Sequence, residues 1–487
     1  MTSSDKVKTP FPAASILTAV SFFIIAGASA LMFLAARGDL WHDEIWSILF
    51  AESATTPLEL FFFNHDNNHL LNTFFLYLVG NQRHLIVYRL FSVLSGIGSL
   101  LLVGHIAQKL WGNLEKLLAL VLCGLSFQLI LMFSEARGYA PAILFSLLAF
   151  ACLLSIAASL KPLPLVLFWV ACGLGILAHA TFFIVYLAIF VYSLPRLPHE
   201  FQEKKSHHSQ ATRLLFVYGP PTIFMAGLYL WFFAPVIIGG GPAAPKGRTA
   251  IQSISLPFGQ IWEPGMAIFT GIVTILMIVS GLYLIHRQNN RLWYFFATAL
   301  IAAPILLVAV TRPPYFSPRY FTICLPFFYL LAARLLSTFF TGNNLRRWAA
   351  AAFVAVFIAG NMQQTIPLVI KGRGHYKDAL DAIMKYSKEN RITVSGDDYY
   401  TIMRLILFYS RFLPSSPEIR YIKPSDWKRQ KPDWIILHAQ GPKEKPLPLI
   451  VMPDIGCYRL FGEYRYCGYG SGWHWFVYQK DTEQIKQ

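Results

Sequence analysis

Two adjacent carboxylates, Asp43 and Glu44, stand between Trp41 and Trp46 in the run Gly38-Asp39-Leu40-Trp41-His42-Asp43-Glu44-Ile45-Trp46-Ser47. A carboxylate near a reacting hydroxyl can take its proton, and a neighbouring one can orient it. We read Asp43 as a general base or metal ligand and Glu44 as its support; the plainer reading is a helix start with an acidic cap. A second polar cluster follows, Asn64-His65-Asp66-Asn67-Asn68-His69. Asp66, Asn68 and His69 supply donors and acceptors of the kind that bind a sugar or its acceptor. His65, Asp66 and His69 could also touch a divalent cation, the one cofactor the sequence suggests. Otherwise the cluster is a turn ahead of a short helix, Leu70–Val79. Two arginines lie in other polar breaks, Arg137 in Ser134-Glu135-Ala136-Arg137-Gly138-Tyr139-Ala140 and Arg319 in Ser317-Pro318-Arg319-Tyr320. A guanidinium grips phosphate with two parallel donors, and Tyr139 and Tyr320 stand beside these two as further phosphate-site candidates. Glu135 could orient Arg137 or bind sugar or acceptor. His179 interrupts an apolar run and reads as a satisfied core histidine. Trp473, His474 and Trp475 read as packing.

What must position these groups is a membrane-embedded scaffold. Of the 487 residues, 55% are hydrophobic and 14% charged, against about 25% charged in soluble domains. That balance excludes an ordinary soluble enzyme, a disordered chain and a collagen-like one. The net charge of +16 could suggest nucleic acid, but no basic, aromatic-interleaved domain stands apart from the apolar runs, so none is expected. Membrane lipid is the expected partner of the basic loops.

A span needs about 20 apolar residues. About eleven segments meet that rule or approach it, near 13–36, 88–110, 115–134, 141–160, 163–178, 180–194, 214–238, 264–285, 292–311, 320–340 and 347–366. The pair around His179 is short. With eleven spans, Lys6, Lys8, Lys109, Lys116, Lys161, Arg196, Lys204, Lys205, Arg213, Arg287, Arg291, Arg346 and Arg347 all fall on one side, which places the N-terminus in the cytoplasm. Loops 37–87, 135–140, 239–263 and 312–319 then face outward, with the glycine- and proline-rich 239–263 stretch suited to a lid. So does a small α/β domain over 370–487, with strands at 391–394 and 434–437, helices at 375–390 and 399–412 and a terminal hairpin at 458–478. Residues 1–369 form the membrane domain. Cys457 and Cys467 fall at the outward end, where a disulfide could join them.

The order of these motifs resembles the GT-C glycosyltransferases, in particular the branch of bacterial protein O-mannosyltransferases and the aminoarabinose and galacturonic-acid transferases of lipopolysaccharide. The resemblance rests on Asp43-Glu44, Asn67-Asn68-His69-Leu70, Glu135-Ala136-Arg137-Gly138-Tyr139-Ala140 and Pro318-Arg319-Tyr320-Phe321. It implies a bacterial inner-membrane enzyme that moves a sugar from a polyprenyl-phosphate donor to a lipid, glycan or protein acceptor on the periplasmic face. On that footing Asp43 is the base of an inverting displacement, Glu44 orients it, and Arg137 and Arg319 stabilise the departing phosphate. A transporter or flippase of a lipid-linked sugar is the alternative. It would place polar groups near the bilayer midplane on broken helices, whereas here they gather in loops of one side.

Overall fold

The computed structural model describes residues 12–156, 161–194, 210–236, 246–259, 261, 263–312, 317–387, 389–415, 417–441 and 444–481. Lys6, Lys8, Arg196, Lys204, Lys205 and the glycine-rich part of the 239–263 loop lie outside them.

Each of the eleven apolar segments contains helix. The chain opens with α1 (Pro12–Ala35), the short loop helices α2 (His42–Ser53) and α3 (Leu70–Val79), and α4 (Ile86–Leu110). Next come α5 (Asn113–Gly124), α6 (Phe127–Phe133), α7 (Tyr139–Ile156), α8 (Pro162–Ala178), α9 (Phe182–Ser193), α10 (Gln210–Leu228), α11 (Lys246–Ser255) and α12 (Pro264–Arg287). Then follow α13 (Leu292–Ala297) and α14 (Ala303–Thr311), joined by a π-turn, α15 (Leu325–Phe340) and α16 (Asn344–Lys371).

Among the described residues, eight helical stretches are long and apolar enough to cross a membrane. They become nine if α5 and α6, bent by 66° at their junction, count as one. The expected eleven therefore include two short members. At 17 and 12 residues, α8 and α9 reach only about 25 and 18 Å, short of a hydrocarbon core roughly 30 Å thick. Many large apolar side chains on these helices stay exposed, among them Phe22, Phe23, Leu215, Ile223 and Ile305. In water that would be costly; it fits helices solvated by lipid.

Past α16 the chain forms a six-stranded sheet in the order β2-β1-β3-β6-β5-β4. The strands are β1 (Arg391–Gly396), β2 (Glu418–Tyr421), β3 (Trp434–Ala439), β4 (Leu449–Met452), β5 (Gly456–Tyr464) and β6 (His474–Lys480). The first three are parallel and the rest antiparallel. Helices α17 (Tyr376–Tyr386) and α18 (Tyr399–Tyr409) pack on one face. Their core does not close on itself. Leu380, Leu405 and Trp475 continue without a break into Trp41, Ile45 and Ile48 of the first loop and Tyr88 of α4. The sheet domain thereby clamps the segment that carries Asp43.

Both cysteines proposed as a disulfide are free. Cys457 is the second residue of β5 and Cys467 lies three residues past its end. At about 3.3 Å per residue, the strand between them holds the thiols far beyond bonding distance.

Candidate active site

Asp43 and Glu44 sit in the first turn of α2, and successive helical residues point about 100° apart. That rotation gives them different work. Asp43 Oδ2 accepts from Arg137 Nη1 at 2.8 Å and from Arg319 Nη1 at 3.2 Å. Arg137 also donates through Nη2 to Asn67 Oδ1 at 2.8 Å, and the same nitrogen lies 3.2 Å from His69 Nε2. Its guanidinium lies 5.1 Å from the Tyr139 ring centre, and that of Arg319 lies 5.0 Å from Trp41. Three separate loops thus converge on one carboxylate. Arg137 is nearly buried while the Arg319 side chain is 26% exposed, so the cluster opens on the Arg319 side.

Glu44 faces the other way, which corrects its reading as a partner of Asp43. It is fully buried and takes Arg89 Nε at 2.7 Å and Nη2 at 2.6 Å. It also accepts the backbone N–H groups of Trp41 and Ala136. Glu44, not Asp43, caps α2, by accepting from the N-cap backbone as the third residue of the helix. Arg89 spends its remaining donors on the carbonyls of Ala36, Gly38 and Asp39. This pair fixes the strand of chain entering α2.

Glu135 is likewise not in the pocket. It is fully buried, accepts from Ser471 Oγ and lies 3.6 Å from Arg373 Nε. Arg373 donates to the carbonyls of Ala35 and Leu131 and to Ser134 Oγ, so Glu135 ties the Arg137 loop to the sheet domain. Asn68 is also a structural group. Its Nδ2 donates to the carbonyls of Leu60 and Phe63, folding the loop on itself. The neighbouring Asn67 is the one that reaches the cluster. His65 and Asp66 pair with each other at 2.8 Å, and His69 turns instead toward Arg137 and stacks on His179. The proposed cation ligands therefore do not converge. Among the described residues no three His, Cys, Asp or Glu side chains group closely enough to hold a metal ion.

The sequence reading missed Arg89, Asn67 and Arg373. Arg89 had a signal, since it is a charge inside the apolar run of α4, where charge is costly. Tyr139 and Tyr320 do flank the pocket: Tyr139 packs against His179 at 4.4 Å and Tyr320 lies 6.4 Å from it.

Electrostatics follow from this geometry. Burial alone would raise the Asp43 carboxyl, but Arg137, the adjacent His42 ring and Arg319 outweigh it and hold it far below the usual carboxylate range. Burial, His179 and Arg137 push the His69 imidazole well down. Burial and the two arginines take His179 down to about 3. With both imidazoles neutral, two guanidiniums face one carboxylate and the pocket keeps a surplus positive charge.

The depressed histidines carry a stability prediction. An unfolded imidazole takes up its proton near pH 6.5, while these two resist it in the fold. Their contribution is complete above about pH 6.5 and is lost as pH falls from there toward the folded value of about 3. Thermal unfolding in detergent should show the midpoint falling below pH 6.5, and His179→Gln should flatten part of that slope.

Gly138 sets the spacing of the site. A Cβ there would collide with the Ala178 carbonyl oxygen and stand 2.8 Å from His69 Cβ. Gly138→Ala must push the Arg137 loop away from the His69–His179 pair. A misplacement of about 1 Å can cost about 10²-fold in rate. We expect a loss of at least that order in turnover together with a lower unfolding temperature in detergent, measured by thermal unfolding beside the activity assay.

No protein-family model matches the chain, and no curated protein matches its sequence. Among solved structures, ArnT from Cupriavidus metallidurans in the apo state aligns over 95% of this chain and 98% of its own, with 14% identity and a TM-score of 0.50. The chain has the GT-C fold. The same ArnT bound to undecaprenyl phosphate aligns with a TM-score of 0.46 at 14% identity, over 98% of this chain and 99% of its own. The Archaeoglobus fulgidus oligosaccharyltransferase complexed with Zn and sulfate gives 0.45 at 10% identity, over 85% of this chain and 67% of its own. The alignment to apo ArnT takes in the sheet domain as well as the helices.

Proposed function

We propose that the protein is a membrane glycosyltransferase that moves a sugar from a polyprenyl-phosphate donor to an acceptor on the outer face of the cytoplasmic membrane. The observation that carries the reading is the paired grip of Arg137 and Arg319 on Asp43, with net positive charge in a pocket open on one side. The singly charged phosphodiester of a polyprenyl-phosphate sugar fits that surplus, and a guanidinium pair is the side-chain set best matched to it and to the monoester that leaves. The fold shared with ArnT and the motif order both support it.

The chemistry is one displacement. The acceptor oxygen attacks the anomeric carbon and its proton passes to Asp43. The bond from that carbon to the phosphate oxygen breaks, and the electron pair leaves with the carrier phosphate. Arg137 and Arg319 stabilise the charge that develops there. Attack opposite the leaving group inverts the anomeric centre. In the resting site Asp43 is a weak base, because both arginines hold its proton affinity down. A donor phosphate competes for those same N–H groups, loosens their hold and restores basicity when it is needed. Turnover is therefore ordered, donor before acceptor.

The transporter reading loses ground on one observation: the charged groups cluster between loops that join helices, not along a broken span. The test is purified full-length protein in detergent with a panel of polyprenyl-phosphate sugars and envelope lipid, glycan and peptide acceptors, read by mass spectrometry. Transfer of at least one sugar, with release of polyprenyl phosphate, is expected. Unchanged donors across the panel, in protein that moves a lipid-linked sugar across vesicles, would replace this reading with the alternative.

A further inference from the structure

The fold gives His179 a defined chemical state. It stands at the break between α8 and α9 in extended backbone. The Thr181 backbone N–H donates to its Nδ1 at 3.1 Å, and Thr181 Oγ1 lies 2.8 Å from the same nitrogen. A backbone N–H can only donate, so Nδ1 carries the lone pair and the ring proton resides on Nε2. The ring cannot swing. It stacks on His69 at 4.8 Å and 24° and leans on Tyr139 at 4.4 Å and 32°. That same Tyr139 ring lies 5.1 Å from the Arg137 guanidinium. Among the described residues Nε2 has no hydrogen-bond partner, and His179 keeps 8% of its surface exposed.

We propose that His179 is a catalytic residue: its neutral Nε2–H donates a hydrogen bond to the carrier phosphate as the sugar leaves. This rests on the transferase reading above. The donor keeps its proton throughout. The bond between the anomeric carbon and the phosphate oxygen breaks, the electron pair goes to that oxygen, the acceptor proton goes to Asp43, and Nε2–H stabilises the new charge without transfer. Neutrality is what makes the group useful. An imidazolium beside two guanidiniums would repel them and bind the phosphate before and after transfer alike. A neutral donor strengthens its bond mainly as charge develops, and so acts on the transition state. The neutral histidine of triosephosphate isomerase is the worked parallel in another fold.

The test uses full-length protein in detergent with polyprenyl phosphate as the probe. In wild type, the phosphorus-31 resonance should shift on binding. His179→Ala should bind the probe with an altered shift, and its turnover with a polyprenyl-phosphate sugar should fall about 10²-fold with donor KM little changed. His179→Gln offers an amide N–H in place of Nε2–H; it should recover most of the turnover and the wild-type shift, which a purely packing role would not give. His179→Ala equal to wild type in both shift and turnover would overturn the inference and leave the transferase reading standing. So would a Gln variant as impaired as Ala. Wild type that fails to bind polyprenyl phosphate would overturn both.

Discussion

Asp43→Asn should lower the rate of sugar transfer about 10²–10⁴-fold, the range a general base contributes, without raising the donor KM. Asparagine keeps the size and one acceptor oxygen, so α2 and the Arg137 loop retain their places. It cannot take a proton. It also removes the negative charge that holds Arg137 at 2.8 Å and Arg319 at 3.2 Å. Those two guanidiniums are then free for the donor phosphate, so donor affinity should hold or tighten while turnover collapses. A split of that kind separates the proposed role from a structural one: a carboxylate needed only to arrange two arginines would show weaker donor binding when it is lost. The measurement is steady-state kinetics with the donor varied at saturating acceptor, together with binding of polyprenyl phosphate by the purified variant.

Arg89→Ala should have the largest effect on folding. The Glu44–Arg89 pair is completely buried on both sides. Removing the guanidinium leaves a carboxylate in the interior with only the Trp41 and Ala136 N–H groups, and strips donors from the carbonyls of Ala36, Gly38 and Asp39. Breaking a buried pair from one side typically costs about 3–5 kcal/mol. Arg89→Ala should fall out of the membrane fraction or unfold at a markedly lower temperature in detergent. Glu44→Gln combined with Arg89→Met takes away both charges together. It should recover much of the stability, because no uncompensated ion remains. Equal damage in the single and double variants would show that the carbonyl contacts, not the ion pair, carry the effect.

Particular residues show how much of this was legible in the sequence. Apolar run length located the helices, since in lipid, with no water to bond, a span must satisfy its backbone N–H and C=O groups internally. Around His179 the two segments fold as α8 and α9, apolar helices shorter than the bilayer that pack against their neighbours. The convergence of Asp43, Arg137 and Arg319 was readable because a charge placed at the end of an apolar run has few cheap roles. Which of Asp43 and Glu44 faces the pocket was not readable, nor which of Asn67 and Asn68. Adjacent residues in a helix or tight turn point in different directions, and a partner far along the chain decides between them. For Glu44 that partner is Arg89; for Asn68 it is the carbonyls of Leu60 and Phe63. In the sheet domain β1, β3 and the β5–β6 hairpin carried apolar or alternating patterns. Glu418–Tyr421 and Leu449–Met452 are four-residue edge strands with half-exposed patterns, too short for periodicity to mark. The supposed disulfide failed because proximity in sequence is separation along an extended strand.

In the proposed mechanism Arg137 and Arg319 hold the carrier phosphate and in doing so release Asp43. An experimental structure of the full-length protein with polyprenyl phosphate bound tests it directly. Phosphate density is expected within hydrogen-bond reach of both guanidiniums, with at least one of their bonds to Asp43 lengthened or broken. Phosphate seated elsewhere, with Asp43 still clasped by both arginines, would contradict it.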